Sequence, residues 1–256
     1  MRHALPFALL LACGGAVEKP NTPAKKKPRS ALAGAIEAAT SGRVPAGTAV
    51  VTFAAFLPGP APEDPAAAAG VKKNSLSVVA APVDAKLPLD LSALSAAVSG
   101  LGERVGAARN VVFVRYAGVR RAELAHVRRA AEAALAVAGD GVVVDLGTRR
   151  AYTPAELRTF LQSEGWGAEQ IVVEAQQDPQ GKVMFVTYGM ARLGLPDLEF
   201  AGVEPAQARE GFGAFQTLLH ALQARKKAAP GDAVGTVVLR TCTRPPEAYE
   251  QACVRM

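Results

Sequence analysis

Three acids sit where a folded chain can bring carboxylates together. Asp145 ends the apolar run "VVVD", and Asp197 and Glu199 follow Pro196 in "GLPDLE". Alternate residues of a strand share a face, so Asp197 and Glu199 project together. Paired carboxylates of this kind can hold a cation or do general acid–base work. The simpler role is turn chemistry, in which Asp197 bonds the backbone of the turn after Pro196 while Glu199 stays solvated. No residue is assigned a catalytic role on this basis, and Asp145, Asp197 and Glu199 stand as the candidates.

Other chemistries lack their residues. "SGLGERVG" has glycines but lies in a helical pattern with no following Lys-Ser or Lys-Thr, so it is no phosphate loop. No serine occupies a nucleophile elbow, and no histidine pair has metalloprotease spacing. His126 is expected on the wet side of its helix beside Glu123 and Arg129, and His220 near Gln216 and Gln223; both read as surface histidines. Trp166 in "EGWGAEQ" is expected to plug the core after a helix. No metal or cofactor is expected: a zinc site would need ligands beyond two cysteines, and His126 and His220 lie far off in sequence.

The three cysteines speak to address. Cys13 follows "MRHALPFALLLA", a cationic start and an apolar run too short to cross a bilayer permanently, and it is followed by Gly14 and Gly15. "LLACGG" at this place resembles the lipobox of bacterial lipoproteins. The resemblance implies a signal peptide over residues 1–12, removed by cleavage, with Cys13 lipidated and holding the protein to the membrane. Several acyl chains make such anchoring stable where one is marginal. Cys242 and Cys253, in "CTRPPEAYEQAC", are then an even pair. In an oxidising periplasm they can close a loop worth about 3 kcal/mol, the alternative being two free thiols. Residues 14 and 15 carry no acidic retention signal, so the default address is the outer rather than the inner membrane of the envelope.

The chain carries a formal charge of +6, but the excess is local. Arg2 belongs to the signal, and Lys19, Lys25, Lys26, Lys27 and Arg29 against Glu18 crowd "AVEKPNTPAKKKPRS", leaving residues 31–256 near +1. A nearly neutral body lacks the electrostatic footprint of a nucleic-acid binder. The Pro- and Lys-rich stretch, within 13–45, reads as a solvated tether that can also touch anionic headgroups.

Residues 46–256 must position the acids, and they read as an α+β domain with a mixed, largely antiparallel sheet and helices packed on it. "GTAVVTFAAFL", "SLSVVAAPV" and "NVVFVRYAG" read as strands; "LDLSALSAAVSGLGERVGAAR" and "RRAELAHVRRAAEAALAVAG" read as helices. "GVVVDLGTRRAY" gives a short buried strand, and Thr153, Pro154 and Glu156 mark a helix start. "QIVVEAQQ" and "KVMFVTYGM" flank a turn at "DPQG", a long helix follows from residue 204, and "AVGTVVLRTC" closes the chain's regular structure. The recurrence of strand, strand, helix, strand raises the expectation of two related halves, 46–150 and 151–256.

"VTYGMARLGLPDLEF", with "GVVVDLGTRRAYTPAEL" upstream, also resembles uncharacterised bacterial domains that carry a strand, a GLPDLE-type turn and a helix. That resemblance implies that Gly189, Gly194, Pro196, Asp197 and Glu199 maintain a shared turn. The function expected is a non-catalytic, envelope-facing binding domain on a lipid anchor, its partner an envelope component. The alternatives are an envelope hydrolase or cation-dependent enzyme using the three acids, and a membrane-held immunity-type inhibitor.

Overall fold

The computed structural model describes residues 31, 32, 34, 35, 45–71, 76–84, 100–163, 171–178, 180–225, 228–234, 237–241 and 253–255. The α+β class expected from the sequence holds. Sheet A runs in the order β2(Leu76–Pro82), β3(Asn110–Gly118), β1(Ala49–Leu57), β4(Val142–Asp145), β5(Arg150–Tyr152), antiparallel throughout. β1 is central and reads as a run that is apolar but for Thr52 because both of its faces are covered. Val51, Phe53 and Ala55 face α3(Ala125–Ala138) and α4(Pro154–Gln162) in one core, whereas Ala54 and Phe56 meet Val105 of α2(Leu101–Gly106) in another. A short helix, α1(Pro65–Ala68), follows β1, capped by the Asp64 carboxylate.

Leu32 and Ala35 are buried in that second core, and the Asp84 carboxylate accepts the Ala31 N–H at 2.9 Å. The packed domain therefore includes residues inside the stretch expected to be tether, because their apolar side chains complete a face of sheet A. Cys13, Trp166 and Cys242 lie outside the described residues, as does most of the helix expected before α2. No disulfide is found among the described residues.

Sheet B has the order β11(Arg240–Thr241), β12(Cys253–Arg255), β8(Asp197–Val203), β7(Val183–Tyr188), β6(Val172–Gln177). All its pairings are antiparallel except β12 with β8, which is parallel and sets Cys253 opposite Asp197 and Arg255 opposite Glu199. α5(Ala208–Gln223) packs Phe215, Leu219 and Leu222 onto this sheet, with Phe185 and Phe200 stacked on Phe215. Two further short strands, β9(Ala233–Val234) and β10(Val237–Val238), pair with each other.

Two expectations are corrected. The run 141–152 is a hairpin of β4 and β5 rather than one strand, turning at Arg149 with φ 57°. β5 belongs to sheet A and α4 packs on α3, so the boundary expected at 150/151 cuts an element in two. Nor are the halves copies: β6, β7 and β8 are neighbours in sequence order, whereas in sheet A β1 lies between β3 and β4. An extra strand, β8, also precedes the long helix of the second half.

The turn of residues 190–193, a short 3-10 helix, touches the start of β1 and joins the two layers. It is bracketed by Gly189 at φ 101° and Gly194 at φ 74°. A Cβ on Gly194 would stand 2.5 Å from the Gly47 carbonyl oxygen. Gly194→Ala should therefore lower stability by at least about 2 kcal/mol, from strained backbone and lost packing. Gly213→Ala, in the exposed middle of α5 with open space around it, should raise stability by about 0.5–1 kcal/mol. Urea midpoints of the two variants check both signs.

Candidate functional site

Asp145 and Asp197 meet at the turn that joins the sheets, and all three candidate acids are buried: Asp145 is 4 % exposed, Asp197 3 % and Glu199 1 %. Asp145 ends β4 because the hydrogen bonds of its own carboxylate turn the chain. Its Oδ1 accepts the Gly147 and Thr148 N–H groups at 3.0 and 3.3 Å. The same carboxylate receives Arg192, whose Nη2 lies 2.9 Å from both oxygens. Arg192 is 1 % exposed, so the pair is shielded from water and screened little by salt. Gly147 makes room for it, since a Cβ there would stand 3.0 Å from Arg192 Nη2.

Asp197 holds the same turn from the other side. Its Oδ1 accepts the Met190 N–H and the Thr187 hydroxyl, each at 3.1 Å, and the Thr187 oxygen accepts the Leu198 N–H at 2.7 Å. This is the turn chemistry anticipated for Asp197, reaching back to residue 190 rather than to the turn just after Pro196. Glu199 departs from expectation: on a strand inside the sheet, between β12 and β7, it is buried rather than solvated. It shares β8 with Asp197 as the alternation required. Among the described residues no group of three or more His, Cys, Asp or Glu side chains is placed to hold a metal ion.

His126 is the larger correction. Expected at the surface, it is fully buried and bridges the two layers. Its Nε2 lies 2.8 Å from the Arg192 carbonyl oxygen, and its Nδ1 accepts the Arg121 N–H at 3.3 Å. Those partners require a neutral ring with the proton on Nε2. Burial pushes its pKa down; the bond to the Arg192 carbonyl opposes this, and the charges of Arg192, Arg120 and Arg121 add to the fall. The ring also packs on Tyr116 at 5.0 Å between centroids.

Sequence inspection also passed over Arg149 and Arg192. The Arg149 guanidinium carbon sits 3.8 Å from the centre of the Tyr188 ring, a cation–π contact from the β4–β5 turn to sheet B. Tyr152, beside Asp145 on sheet A, has its pKa raised to about 12, first by burial and then by the Asp145 charge. The available signal was a cation inside the apolar string "GMARLGL", which no helix or strand period would turn toward water.

The arrangement is a clamp. Asp145, through both oxygens, and Asp197, through Oδ1, hold the turn at 189–194, His126 ties that turn's carbonyl to the loop before α3, and Arg149 closes the joint against Tyr188.

Asp145→Asn should cost about 3–5 kcal/mol, because it removes the carboxylate charge that the buried Arg192 guanidinium meets through both oxygens. Asp145→Asn with Arg192→Met should recover most of that loss, a non-additivity read from a double-mutant cycle of urea midpoints. The depressed pKa of His126 gives a second expectation. The unfolded chain takes up a proton near its ordinary value, about 6.5, at pH values where the folded one does not. Stability should therefore be full above that value and fall as the pH drops toward the lower folded pKa. His126→Gln keeps an acceptor and a donor without titrating, and should flatten that part of the profile of thermal midpoint against pH.

Comparison with known proteins returns no matching family model, no matching curated protein and no matching solved structure.

Proposed function

We propose that the chain is a membrane-anchored bacterial lipoprotein whose folded part is a non-catalytic binding domain facing the cell envelope. The observation that carries the non-catalytic part is the use to which the candidate acids are put. Asp145 is engaged by two backbone N–H groups and by Arg192, and the Oδ1 of Asp197 by Met190 and Thr187, inside the joint. Carboxylates so engaged position the backbone, whereas a general base must reach a substrate proton.

The anchor rests on "LLACGG" after an apolar signal core, with Cys13 carrying the lipid and the Pro- and Lys-rich stretch beyond it as spacer. A cleaved signal leaves a chain with no need of a spanning helix, and among the described residues no helix is long and apolar enough to cross a membrane. The outer membrane is the proposed destination, and Cys242 with Cys253 the proposed disulfide.

Intact mass of the protein extracted from its native membranes in detergent, without reductant, tests these assignments together. The expected species begins at Cys13, is heavier by a diacylglyceryl group and one acyl chain, and is lighter by the two hydrogens of a disulfide. Cys13→Ser should move the protein from the membrane pellet to the soluble fraction. A mature chain that starts elsewhere, or a Cys13→Ser protein still in the pellet, would overturn the anchor.

A further inference from the structure

The loop from Val119 to Leu124, between β3 and α3, is held rigid from below and left open above. At one end the Tyr116 hydroxyl donates to the Val119 carbonyl at 2.6 Å; at the other, His126 accepts the Arg121 N–H. Between these pins Glu123 and Leu124 stand in succession at φ 50° and 54°, a left-handed conformation that side chains other than Gly avoid. Consecutive residues stay in that region only where their surroundings over-determine it, and such places cluster at binding sites. One consequence of the conformation is visible: Leu124 turns down to pack against the cores of both layers.

Above it lies a cleft of about 540 Å³ between this loop and α5, a size that suits a small ligand. Its apolar lining is Leu124, Ile171, Leu193 and Leu219. Its rim carries Arg120, Arg121 and His220, against the single acid Glu123. Arg120 is partly spent on the Gln223 carbonyl, 3.2 Å away at the end of α5. The Arg121 guanidinium has no hydrogen-bond or ion-pair partner among the described residues and is exposed. Val119, next along the loop, is 81 % exposed.

We infer that this cleft binds a small amphipathic anion, its apolar body on the leucine-lined floor and its carboxylate or phosphate head on Arg121. A guanidinium fork matches either head group, and an ionised acceptor strengthens the bond. The inference gives a ligand class to the binding role proposed above and rests on that role, but not on the anchor.

The test uses the full chain carrying Cys13→Ser, titrated with octanoate, octyl phosphate and the neutral octanamide while methyl NMR shifts are followed. Octanoate or octyl phosphate should shift Leu124, Leu193 and Leu219, and the tighter of the two identifies the head group. Octanamide should bind about tenfold more weakly, the worth of one charge-assisted hydrogen bond. Arg121→Gln, a change at an exposed side chain, should cost a similar factor, and Arg121→Lys should restore part of it. Equal binding of octanamide, unchanged affinity in Arg121→Gln, or shifts confined to other residues would overturn the proposal. Because the anchor is read by mass and the cleft by titration, either can fail alone. If none of the three probes binds while other envelope molecules do, the ligand class fails and the binding role survives.

Discussion

The fold depends on a charge pair it has removed from water. Asp145 belongs to sheet A and Arg192 to the turn that leads into the last long strand of sheet B, and their bond lies where the two layers meet. Taking both ions out of water is costly, and attraction in the low-dielectric interior repays that cost only when geometry is good and the remaining lone pairs are filled. On the acid side the lone pairs are used: Asp145 Oδ1 also accepts two backbone N–H groups of its own turn. The gain is specificity of assembly more than stability, since only one docking of the layers brings the charges together.

From that pair the rest of the joint follows. Fixing the Arg192 side chain fixes its backbone, whose carbonyl then meets His126. His126 in turn orients the loop before α3 through the Arg121 N–H. A buried ion pair and a surface loop are thus three covalently or hydrogen-bonded steps apart, and each step has a defined donor and acceptor. Glycines at 189 and 194 make the geometry accessible, because the turn needs left-handed backbone at both ends and close approach to Gly47 at one. Rigidity at the joint and openness of the cleft beside it are two sides of the same packing.

Much of the fold was legible locally. β3 was expected over 110–118 and spans those residues, and Thr153, Pro154 and Glu156 form the full capping box at the start of α4. Such features depend on neighbours in sequence. What went unread depends on neighbours in space. His126 belongs to a buried stripe with Ala130, Ala134 and Val137, and alanine on both sides of the helix hid which face was inward. Glu199 looked solvated because its charge predicted water, yet it is 1 % exposed once the sheet is packed. The hairpin of β4 and β5 was missed because its turn uses Arg149 rather than glycine at the left-handed position.

By itself the sequence determined most of the strands and the long helices, though not the hairpin at 142–152 or the breaking of the run 233–242 into short strands, and it determined that the chain is α+β and that Asp197 and Glu199 alternate along one strand. Periodicity, capping and turn residues act within a few positions, so they can be read in a line. Only the tertiary structure decided that Asp145 pairs with Arg192, that His126 lies inside, and that an arginine-rimmed cleft opens beside α5. Those outcomes join residues 47, 66 or 103 positions apart. Their energies exist only once the two layers have excluded the water between them.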